Sequence, residues 1–310
     1  MLIRDAIEEY LATKRPSITH DTYEWYTYLL DFFQRWCDTH HLTVLAELKA
    51  PHVAQFVADT PSQNTHTRHA RAQVVKSFLR WCSEDDELGV RERTVSRIEM
   101  PKIEQSEIHL FTDTDIRQLF KACDQTRDPH RNRAIIHLLL DTGVRASELC
   151  YDSTRPEEET GLRMANLFIG RGDSYIRVMG KGRKPRSIGL GQQTSLAVRR
   201  YLSRERGHSL SQFVFLSRGD EPLSVRMLQQ FLGTLGKLAH VPDCHAHRFR
   251  HTFAVMQLMQ GTSDLVLMQL MGHTTLESTK LYTRAMTSLQ ARQSGKSPVD
   301  HMISLRRYTL

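Results

Sequence analysis

The sequence predicts a mainly α-helical protein with one small antiparallel β-sheet, arranged as two domains. A chain of 310 residues has room for about two domains of ordinary size. Apolar residues recur at spacings of three and four through most of the chain, which is the pattern of amphipathic helices. The exception is SYIRVMGKGRKPRSIGL, residues 174–190, which predicts a strand, a glycine-containing turn and a second strand.

The composition is that of an ordinary globular protein, with 40% hydrophobic and 25% charged residues. The longest apolar run, residues 134–140, is interrupted by His137 and is far shorter than a membrane span of roughly 20 residues. The N-terminal residues show no signal-peptide pattern, and the five scattered cysteines suit reduced thiols. We therefore expect a cytoplasmic protein that makes no contact with a membrane.

The positive charge of the chain is concentrated in its second part. The formal net charge is +7, but residues 1–100 hold 12 Lys and Arg against 15 Asp and Glu, a net charge of −3. Residues 101–310 hold the remaining 30 basic and 20 acidic residues, a net charge of +10. This excess indicates a polyanionic partner, most commonly nucleic acid, and the alternative is a solvated basic surface.

Residues 1–100 are predicted to form a first, helical domain. Amphipathic patterns predict helices over about 19–40, 51–59 and 65–82, the second of them with a proline in its first turn. In the helix over 19–40, the side chains at spacings of three and four are aromatic or aliphatic, so this helix is expected to pack against the domain core.

The helix over 65–82 has an apolar face and an opposite basic face. The basic face carries His66, Arg68, His69, Arg71, Lys76 and Arg80. We predict that Arg68, Arg71 and Lys76 contact DNA phosphates, which would let an acidic domain still bind DNA. The alternative is a solvated polar surface with no ligand.

Residues 101–109 are predicted to be a linker, because they combine a proline and mixed charge with no apolar period. Beyond them, Thr112 followed three residues later by Asp115 marks a capped helix start. Residues 110–310 therefore form a second domain, which ends in a C-terminal tail.

Two short segments place basic residues at turns where a phosphate could be held. In TGVRASEL, Arg145 opens a helix, and both its guanidinium and the free helical N–H groups can donate to phosphate oxygens. The alternative is a structural ion pair between Arg145 and Glu148. In GKGRKPR, Lys181 lies at the hairpin tip, where it is either a point charge or proton donor, or a solubilising residue.

Two further segments carry histidines and a tyrosine. In HRFRHTFA, the residues His247, Arg250 and His251 share one face of a predicted helix. His273 closes the segment LMGH, and Tyr282 lies in STKLYTR. A zinc site within CHAHRFRH is disfavoured because its spacing is not a usual ligand pattern. A single tyrosine such as Tyr282 is by default a core aromatic.

In this order and spacing, five segments resemble the tyrosine recombinase, or phage integrase, family: TGVRASEL, GKGRKPR, HRFRHTFA, LMGH and STKLYTR. In the first domain, TYEWYTYLLDFFQRWC and RHARAQVVKSFLRWC resemble the helical, SAM-like core-binding domain of the same family. LFTDTDIRQLF resembles the first helix of the family's catalytic domain. The resemblance covers nearly the whole chain and implies a core-binding domain followed by a tyrosine-recombinase catalytic domain.

The resemblance implies an enzyme that cleaves and rejoins DNA through a 3′-phosphotyrosyl intermediate. By matched position it implies six catalytic residues: Arg145, Lys181, His247, Arg250, His273 and Tyr282. Tyr282 would be the nucleophile, His247 its proton acceptor and Lys181 the acid that protonates the leaving 5′-oxygen. The two arginines and His273 would hold the non-bridging phosphate oxygens. Glu148 would brace the site without touching DNA.

The resemblance also implies partners. In the hairpin, Arg183, Lys184 and Arg186 are predicted to contact DNA, and the pair Arg183 and Lys184 leaves open which basic residue reaches the leaving group. The expected partners are a double-stranded DNA with an inverted-repeat core site and three further copies of the chain in a homo-tetramer. An accessory protein is an additional candidate. No cofactor is expected, neither ATP nor a metal ion, because the phosphotyrosine conserves the energy of the bond.

Some features depart from the family pattern. The acidic segment 151–161 is an insertion, which we interpret as a surface loop, with a partner contact or a regulatory element as the alternatives. His245 and His251 are interpreted as neighbours of the catalytic histidine without a role of their own. The tail after Tyr282 is expected to dock onto a neighbouring protomer through apolar residues that include Leu289, Met302, Ile303 and Leu305. The short N-terminal part favours an Xer-like enzyme without an arm-binding domain.

Two other functions stay open from the sequence. A type IB topoisomerase-like enzyme shares the catalytic constellation and would relax DNA without a site preference. A DNA-binding protein that does not cleave would keep the scaffold alone. Whether a recombinase of this kind integrates, excises or resolves DNA is likewise open.

Overall fold

The helical periodicity of the sequence is realised in both halves of the chain. In the computed structural model, which describes residues 1–59, 64–104, 108–155, 159–170, 172–180 and 184–294, helices predominate around one three-stranded antiparallel sheet. The chain divides into two compact units, Met1–Ser106 and Glu107–Leu310. The predicted class, mainly helical with a small antiparallel sheet, is confirmed.

The first unit is built from helices alone over the residues described. They are α1 (Ile3–Lys14), α2 (His20–Thr39), α3 (Ala50–Asp59), α4 (Thr65–Ser83) and α5 (Glu92–Ser96), with 3₁₀ turns at Leu45–Glu47 and Asp86–Leu88. Three of these, α2 to α4, match the sequence prediction within one or two residues. The Asn64 side chain caps α4 by accepting from the His66 amide at 2.9 Å.

An aromatic core holds the first unit together. Phe33 of α2 meets Phe56 of α3 edge to face, with 5.0 Å between the ring centroids. Tyr10 of α1 meets Phe78 of α4 in the same way at 5.6 Å. All four rings are buried, so the apolar stripes of four helices converge on one core.

The basic face of α4 makes contacts within its own unit. Lys76 donates to the Ile98 carbonyl at 2.7 Å, and the His69 ring lies 2.8 Å from the Pro101 carbonyl. The Arg71 guanidinium lies 5.0 Å from the centroid of the Phe32 ring. The first residues of the predicted linker 101–109 therefore pack against α4 as part of this unit.

The second unit combines helices with the sheet. Its elements are α6 (Asp113–Cys123), α7 (Pro129–Thr142), α8 (Ala146–Leu149), β1 (Leu167–Ile169), β2 (Ser174–Met179), β3 (Pro185–Gly189), α9 (Gln192–Tyr201), α10 (Val225–Leu238), α11 (Ala246–Met259), α12 (Asp264–Met271) and α13 (Glu277–Ser294). A π-helical turn, Leu202–Arg206, extends α9, and 3₁₀ turns occupy Met164–Asn166 and Arg218–Asp220. The predicted capping box forms at the start of α6 between Thr112 and Asp115.

The predicted hairpin is formed by β2 and β3. These strands pair antiparallel, with Tyr175 opposite Gly189 and Met179 opposite Pro185, and β1 pairs along the other edge of β2. Residues 181–183 at the hairpin tip lie outside the described residues. The hairpin therefore forms as predicted, with its two strands in a defined register.

A small cluster around α11, α12 and α13 surrounds Tyr282. Phe253 and Leu267 are buried in it, and Leu289 packs against it from α13. Helix α13 continues to Ser294, and the rest of the tail, with Met302, Ile303 and Leu305, lies outside the described residues. Docking of the tail onto a neighbouring protomer therefore stays a prediction.

All five cysteines are buried as free thiols. Burial raises the pKa of Cys37, Cys82, Cys123 and Cys244 to about 12, and it raises the pKa of Cys150 as well. This arrangement agrees with the prediction of reduced, unpaired thiols. Among the described residues, no helix is both long and apolar enough to cross a membrane.

Candidate active site

The turn between α7 and α8 brings Arg145 into position. Gly143 ends α7 with a φ of +57°, a conformation that favours glycine, and a Cβ there would lie 2.3 Å from the Phe253 ring. Arg145 is the N-cap residue of α8, and its backbone N–H donates to Glu148 Oε2 at 2.8 Å. The glycine in TGVRASEL is therefore required by backbone geometry and by the close approach of α11.

Arg145 is oriented by two different acceptors. Its Nη1 donates to Glu148 Oε1 at 2.9 Å, and its Nη2 donates to the Gly272 carbonyl at 3.1 Å. The Arg145 side chain is 35% exposed, whereas that of Glu148 is 4% exposed. The ion pair considered in the sequence analysis is therefore real, and it leaves the guanidinium accessible to a ligand.

Arg250 is buried at the centre of the site. Its Nη1 donates to the Gly143 carbonyl at 2.6 Å, and its Nη2 contacts the Met271 carbonyl at 2.5 Å and His273 Nε2 at 3.1 Å. Burial and the nearby charge of Arg145 lower the pKa of Arg250 to about 10, so it stays charged at neutral pH. Helix α11 thus holds a fixed positive charge between the α7–α8 turn and the end of α12.

Tyr282 of α13 is 3% exposed and lies among these groups. His251 Nδ1 lies 3.3 Å from the Tyr282 hydroxyl, and the His273 ring is stacked on the tyrosine with 6.0 Å between centroids. Burial raises the pKa of Tyr282, although Arg250 opposes this shift. The phenol is therefore protonated at neutral pH, and attack by its oxygen requires a proton acceptor.

The neighbouring imidazoles are neutral at pH 7. Burial and His247 lower the pKa of His251 to about 4, and burial and Arg250 lower that of His273 to about 4. The pKa of His247 is also lowered, chiefly by burial and then by Arg250. A neutral imidazole has one ring nitrogen that accepts a proton, so each of these side chains is in the form that a base requires.

His251 was interpreted from the sequence as a neighbour of the catalytic histidine without a role of its own, yet it lies in the site. It contacts Tyr282, and its ring lies 4.2 Å from that of His247 between centroids. The spacing of four residues between the two histidines predicts that they share a helix face, but it does not show which of them faces a tyrosine 31 residues away.

Arg186 occupies a different place from the one predicted. Its Nη1 and Nη2 donate to Glu148 Oε1 and Oε2 at 2.9 and 2.8 Å, and its Nε donates to the Leu270 carbonyl at 2.8 Å. Its side chain is 12% exposed. Ile188, two residues along β3, is buried, so strand alternation puts Arg186 on the inward side.

The remaining predicted site residues are distributed as follows. Lys181 and Arg183 lie outside the described residues. Lys184 is exposed beside the hairpin tip, where its carbonyl accepts from the Gly180 amide at 2.9 Å. Arg68 is half-buried on α4 in the other unit. In the part of the chain that the structure describes, no three histidine, cysteine or carboxylate side chains form a group that could hold a metal ion.

The family model for the phage integrase family matches residues 109–288 of the chain, which is the segment that contains the whole constellation just described. The chain belongs to the phage integrase family. Tyrosine recombinase XerC of Mycobacterium sp. (strain KMS) is 30% identical over 301 residues, covering 91% of this chain and 93% of that protein. The recognition made from the five motifs is confirmed, and this family member is a tyrosine-type site-specific recombinase.

Solved structures show the same fold. The XerH site-specific recombinase bound to palindromic difH substrate, in a post-cleavage complex, matches with a TM-score of 0.73 at 16% identity, covering 93% of this chain and 83% of that one. A lambda integrase tetramer bound to a Holliday junction matches with a TM-score of 0.71 at 14% identity, covering 91% and 77%. The mainly helical architecture is therefore that of the integrase family.

Proposed function

We propose that this integrase-family enzyme cleaves and rejoins DNA with Tyr282 as the nucleophile. The observation that carries this proposal is the convergence of Arg145, Arg250 and His273 around the buried hydroxyl of Tyr282. The tyrosine oxygen attacks the scissile phosphorus and forms a P–O bond, while the bond to the 5′-oxygen breaks. The products are a 3′-phosphotyrosine and a 5′-hydroxyl, and religation reverses these changes with the same or a different strand.

The proton of Tyr282 needs an acceptor on the protein. We assign this role to the histidine pair of α11, in which His251 touches the hydroxyl and His247 lies behind it. The family pattern assigns the role to His247 alone. The leaving 5′-oxygen needs a proton donor, and Lys181 is proposed for this role from its position in GKGRKPR.

The charge of the pentacoordinate transition state lies on the non-bridging oxygens of the phosphate. Arg145 and Arg250 carry fixed charges, and a guanidinium has five N–H donors, more than the contacts of Arg145 to Glu148 and Gly272 use. Donors that are held in place before the reaction stabilise such charge without reorganisation. His273 Nε2 accepts from Arg250 and so orients that guanidinium. Donation from His273 to the phosphate is proposed from its position in LMGH.

The proposed ligand is a double-stranded DNA with an inverted-repeat core site, bound by four copies of the chain. The support for this assembly is the palindromic substrate named for the XerH complex and the tetramer named for lambda integrase. Arg68, Arg71 and Lys76 of α4 and Lys184 of the hairpin are proposed to contact DNA phosphates. The reaction exchanges one phosphate ester for another, so the proposal needs neither a nucleotide nor a metal cofactor.

Covalent trapping tests this function. Wild type, Tyr282→Phe and the control Tyr175→Phe, which changes a sheet tyrosine stacked on Phe168, are expressed in the source organism and denatured in SDS. Protein-linked DNA is then recovered and sequenced. We expect discrete peaks for wild type and the control, and none for Tyr282→Phe.

Two other outcomes would change the assignment. Wild-type adducts scattered over the genome without a shared sequence would favour a type IB topoisomerase-like enzyme. The absence of any adduct, together with recovery of bound DNA after formaldehyde crosslinking, would favour a DNA-binding protein that does not cleave.

A further inference from the structure

Three arginines converge on three consecutive carbonyls at the C-terminal end of α12. Arg186 donates to the Leu270 carbonyl, Arg250 to that of Met271 and Arg145 to that of Gly272. The last carbonyls of a helix have no partner within the helix and carry its partial negative charge, so they attract guanidinium groups. His273 follows directly, so one short segment of backbone contacts both phosphate-binding arginines and carries the histidine.

Arg186 and Arg145 both bond to the carboxylate of Glu148. Arg186 pairs with both oxygens of Glu148, and Arg145 bonds to one of the same oxygens. Burial alone would raise the pKa of Glu148, but Arg186 and Arg145 together hold that pKa below its ordinary value. Glu148 is therefore a buried anion between two cations.

We propose that Arg186 is a positioning residue for strand cleavage. It shares the charge of Glu148 and ties that carboxylate to the end of α12. Glu148 then orients Arg145 through a single side-chain bond, and the remaining donors of that guanidinium can face the scissile phosphate. The inference rests on the proposed function, because it assigns Arg145 to the phosphate.

The glycine of LMGH supports this role independently. Gly272 ends α12 with a φ of +61°, and a Cβ at this position would lie 2.9 Å from Arg186 Nη1. The end of that guanidinium is fixed by its bonds to Glu148 and Leu270, so it has little freedom to move aside. The close approach of Arg186 to the backbone thus requires a residue without a side chain beside His273.

The sequence-based assignment of Arg186 to DNA contact makes the opposite prediction. A phosphate contact contributes to affinity, and its loss lowers the salt dependence of binding by about 0.9 in the log–log slope. A positioning residue leaves affinity almost unchanged and acts on the rate at saturation. The two roles are therefore separable in one pair of measurements.

The test uses full-length wild type, Arg186→Gln, Arg186→Lys, Glu148→Gln and the Arg186→Gln/Glu148→Gln double variant. The control is Arg177→Gln, an exposed arginine on the neighbouring strand β2. Each is given a nicked duplex that carries the site recovered by covalent trapping. The dissociation constant is measured over a salt series, and the rate of Tyr282 adduct formation is measured at saturating protein. Thermal unfolding shows which variants are folded.

We expect Arg186→Gln to lower the saturated rate by about 10²-fold, the scale of losing one preorganised transition-state donor. Its dissociation constant should stay within roughly twofold of wild type with an unchanged salt slope. The saturated rate of Arg186→Lys should lie between those of wild type and Arg186→Gln, because an ammonium keeps the charge but lacks the planar fork that matches a carboxylate. The double variant should regain about tenfold over Arg186→Gln, because the unpaired buried anion is gone.

Other results overturn the inference. An unchanged saturated rate with weaker binding and a smaller salt slope would make Arg186 a DNA contact. Additive losses in the double variant would show that Arg186 does not act through Glu148. If Arg186→Gln does not fold, two other variants show in the same assay whether Arg186 acts on the rate or on binding. They are Arg186→Lys and the double variant, in which both side chains are neutral amides. Failure of wild type itself to form a Tyr282-dependent adduct would instead overturn the proposed function.

Discussion

The cations of α4 and the cations around the end of α12 use the same residue types for different purposes. On α4, which has a half-buried surface at these positions, Lys76 donates to a carbonyl and Arg71 lies over a ring. At the end of α12, Arg145 and Arg250 donate to consecutive backbone carbonyls, those of Gly272 and Met271. A charge on a helix surface contributes affinity one contact at a time, whereas charges that converge in a buried site act on one reacting group.

The largest expected effect is on Arg250, the most buried cation of the second group. Arg250→Lys should lower the cleavage rate at saturating DNA by about 10²- to 10³-fold, because an ammonium cannot reach the Gly143 and Met271 carbonyls and a phosphate together. The dissociation constant should change by less than roughly threefold. Single-turnover adduct formation measures the first quantity, and fluorescence anisotropy measures the second.

Arg200→Lys, at an exposed position of α9, is the matched control and should behave as wild type. A saturated rate for Arg250→Lys within a few fold of wild type would remove the distinction between the two groups of cations.

The second largest effect is expected from a substitution of Gly143, whose carbonyl accepts from Arg250. Gly143→Ala should destabilise the protein by about 2 kcal/mol or more, because alanine is strained at a φ of +57° and its Cβ would meet the Phe253 ring. The free energy of unfolding is measured from urea titration.

Gly219→Ala is the control for backbone strain alone. Gly219 lies in the same left-handed region as Gly143, with φ +72° and ψ +24°, and a Cβ there would meet nothing within 4 Å. It should therefore lose only about 1 kcal/mol. Equal losses at the two glycines would show that the contact with Phe253 carries no cost.

A smaller effect concerns the pH dependence of stability. The pKa values of His251 and His273 lie at about 4 in the folded protein, below the value of 6.5 for an unperturbed histidine. Between pH 6.5 and 4 the unfolded chain therefore binds more protons, about one per histidine, so stability should fall as the pH falls through this window. The pKa of Glu148 is also lowered, and its contribution is lost only below pH 4.5.

The urea midpoint at pH 7, 6 and 5 measures this slope. His251→Gln should flatten it, and His20→Gln, at an exposed position at the start of α2, should not. A slope that is the same in wild type and His251→Gln would contradict the low pKa of that imidazole.

The smallest effect is expected on α4. Arg68→Gln should weaken DNA binding roughly threefold and lower the log–log salt slope by about 0.9, because one phosphate contact is lost. Cleavage at saturating protein should not change. Arg35→Gln, on α2, is the control, because Arg35 is exposed and paired with Asp31. If both variants weaken binding equally, α4 has no special role in the interface.

Local patterns were sufficient for much of the fold. The apolar spacing in α2 and α4, the cap of α6 and the alternation in β2 depend on residues close in sequence, so they could be predicted. The same holds for the order of the five motifs, which identifies the site. The packing of Leu289 of α13 against its own unit could not be read in this way, because it is a tertiary contact that local spacing does not specify.

The parts of the site that escaped prediction depend on long-range contacts. The bond between Arg186 and Leu270 joins residues 84 positions apart, and that between His251 and Tyr282 joins residues 31 apart. A basic residue beside Lys184 in a hairpin gives no sign that it faces inward, since the direction of a strand residue is set by what packs on the sheet. The hairpin motif therefore predicted that Arg186 binds an anion, but not that the anion is Glu148.

The burial of all five thiols makes the folded protein a suitable carrier for site-directed probes. A thiol must ionise to react with a maleimide, and the native cysteines are both covered and held protonated. A cysteine introduced at an exposed position, such as Gln73→Cys on α4 or Gln229→Cys on α10, should react first by a wide margin. One dye in each unit would then report the distance between the units during recombination, without removal of any native residue from either core.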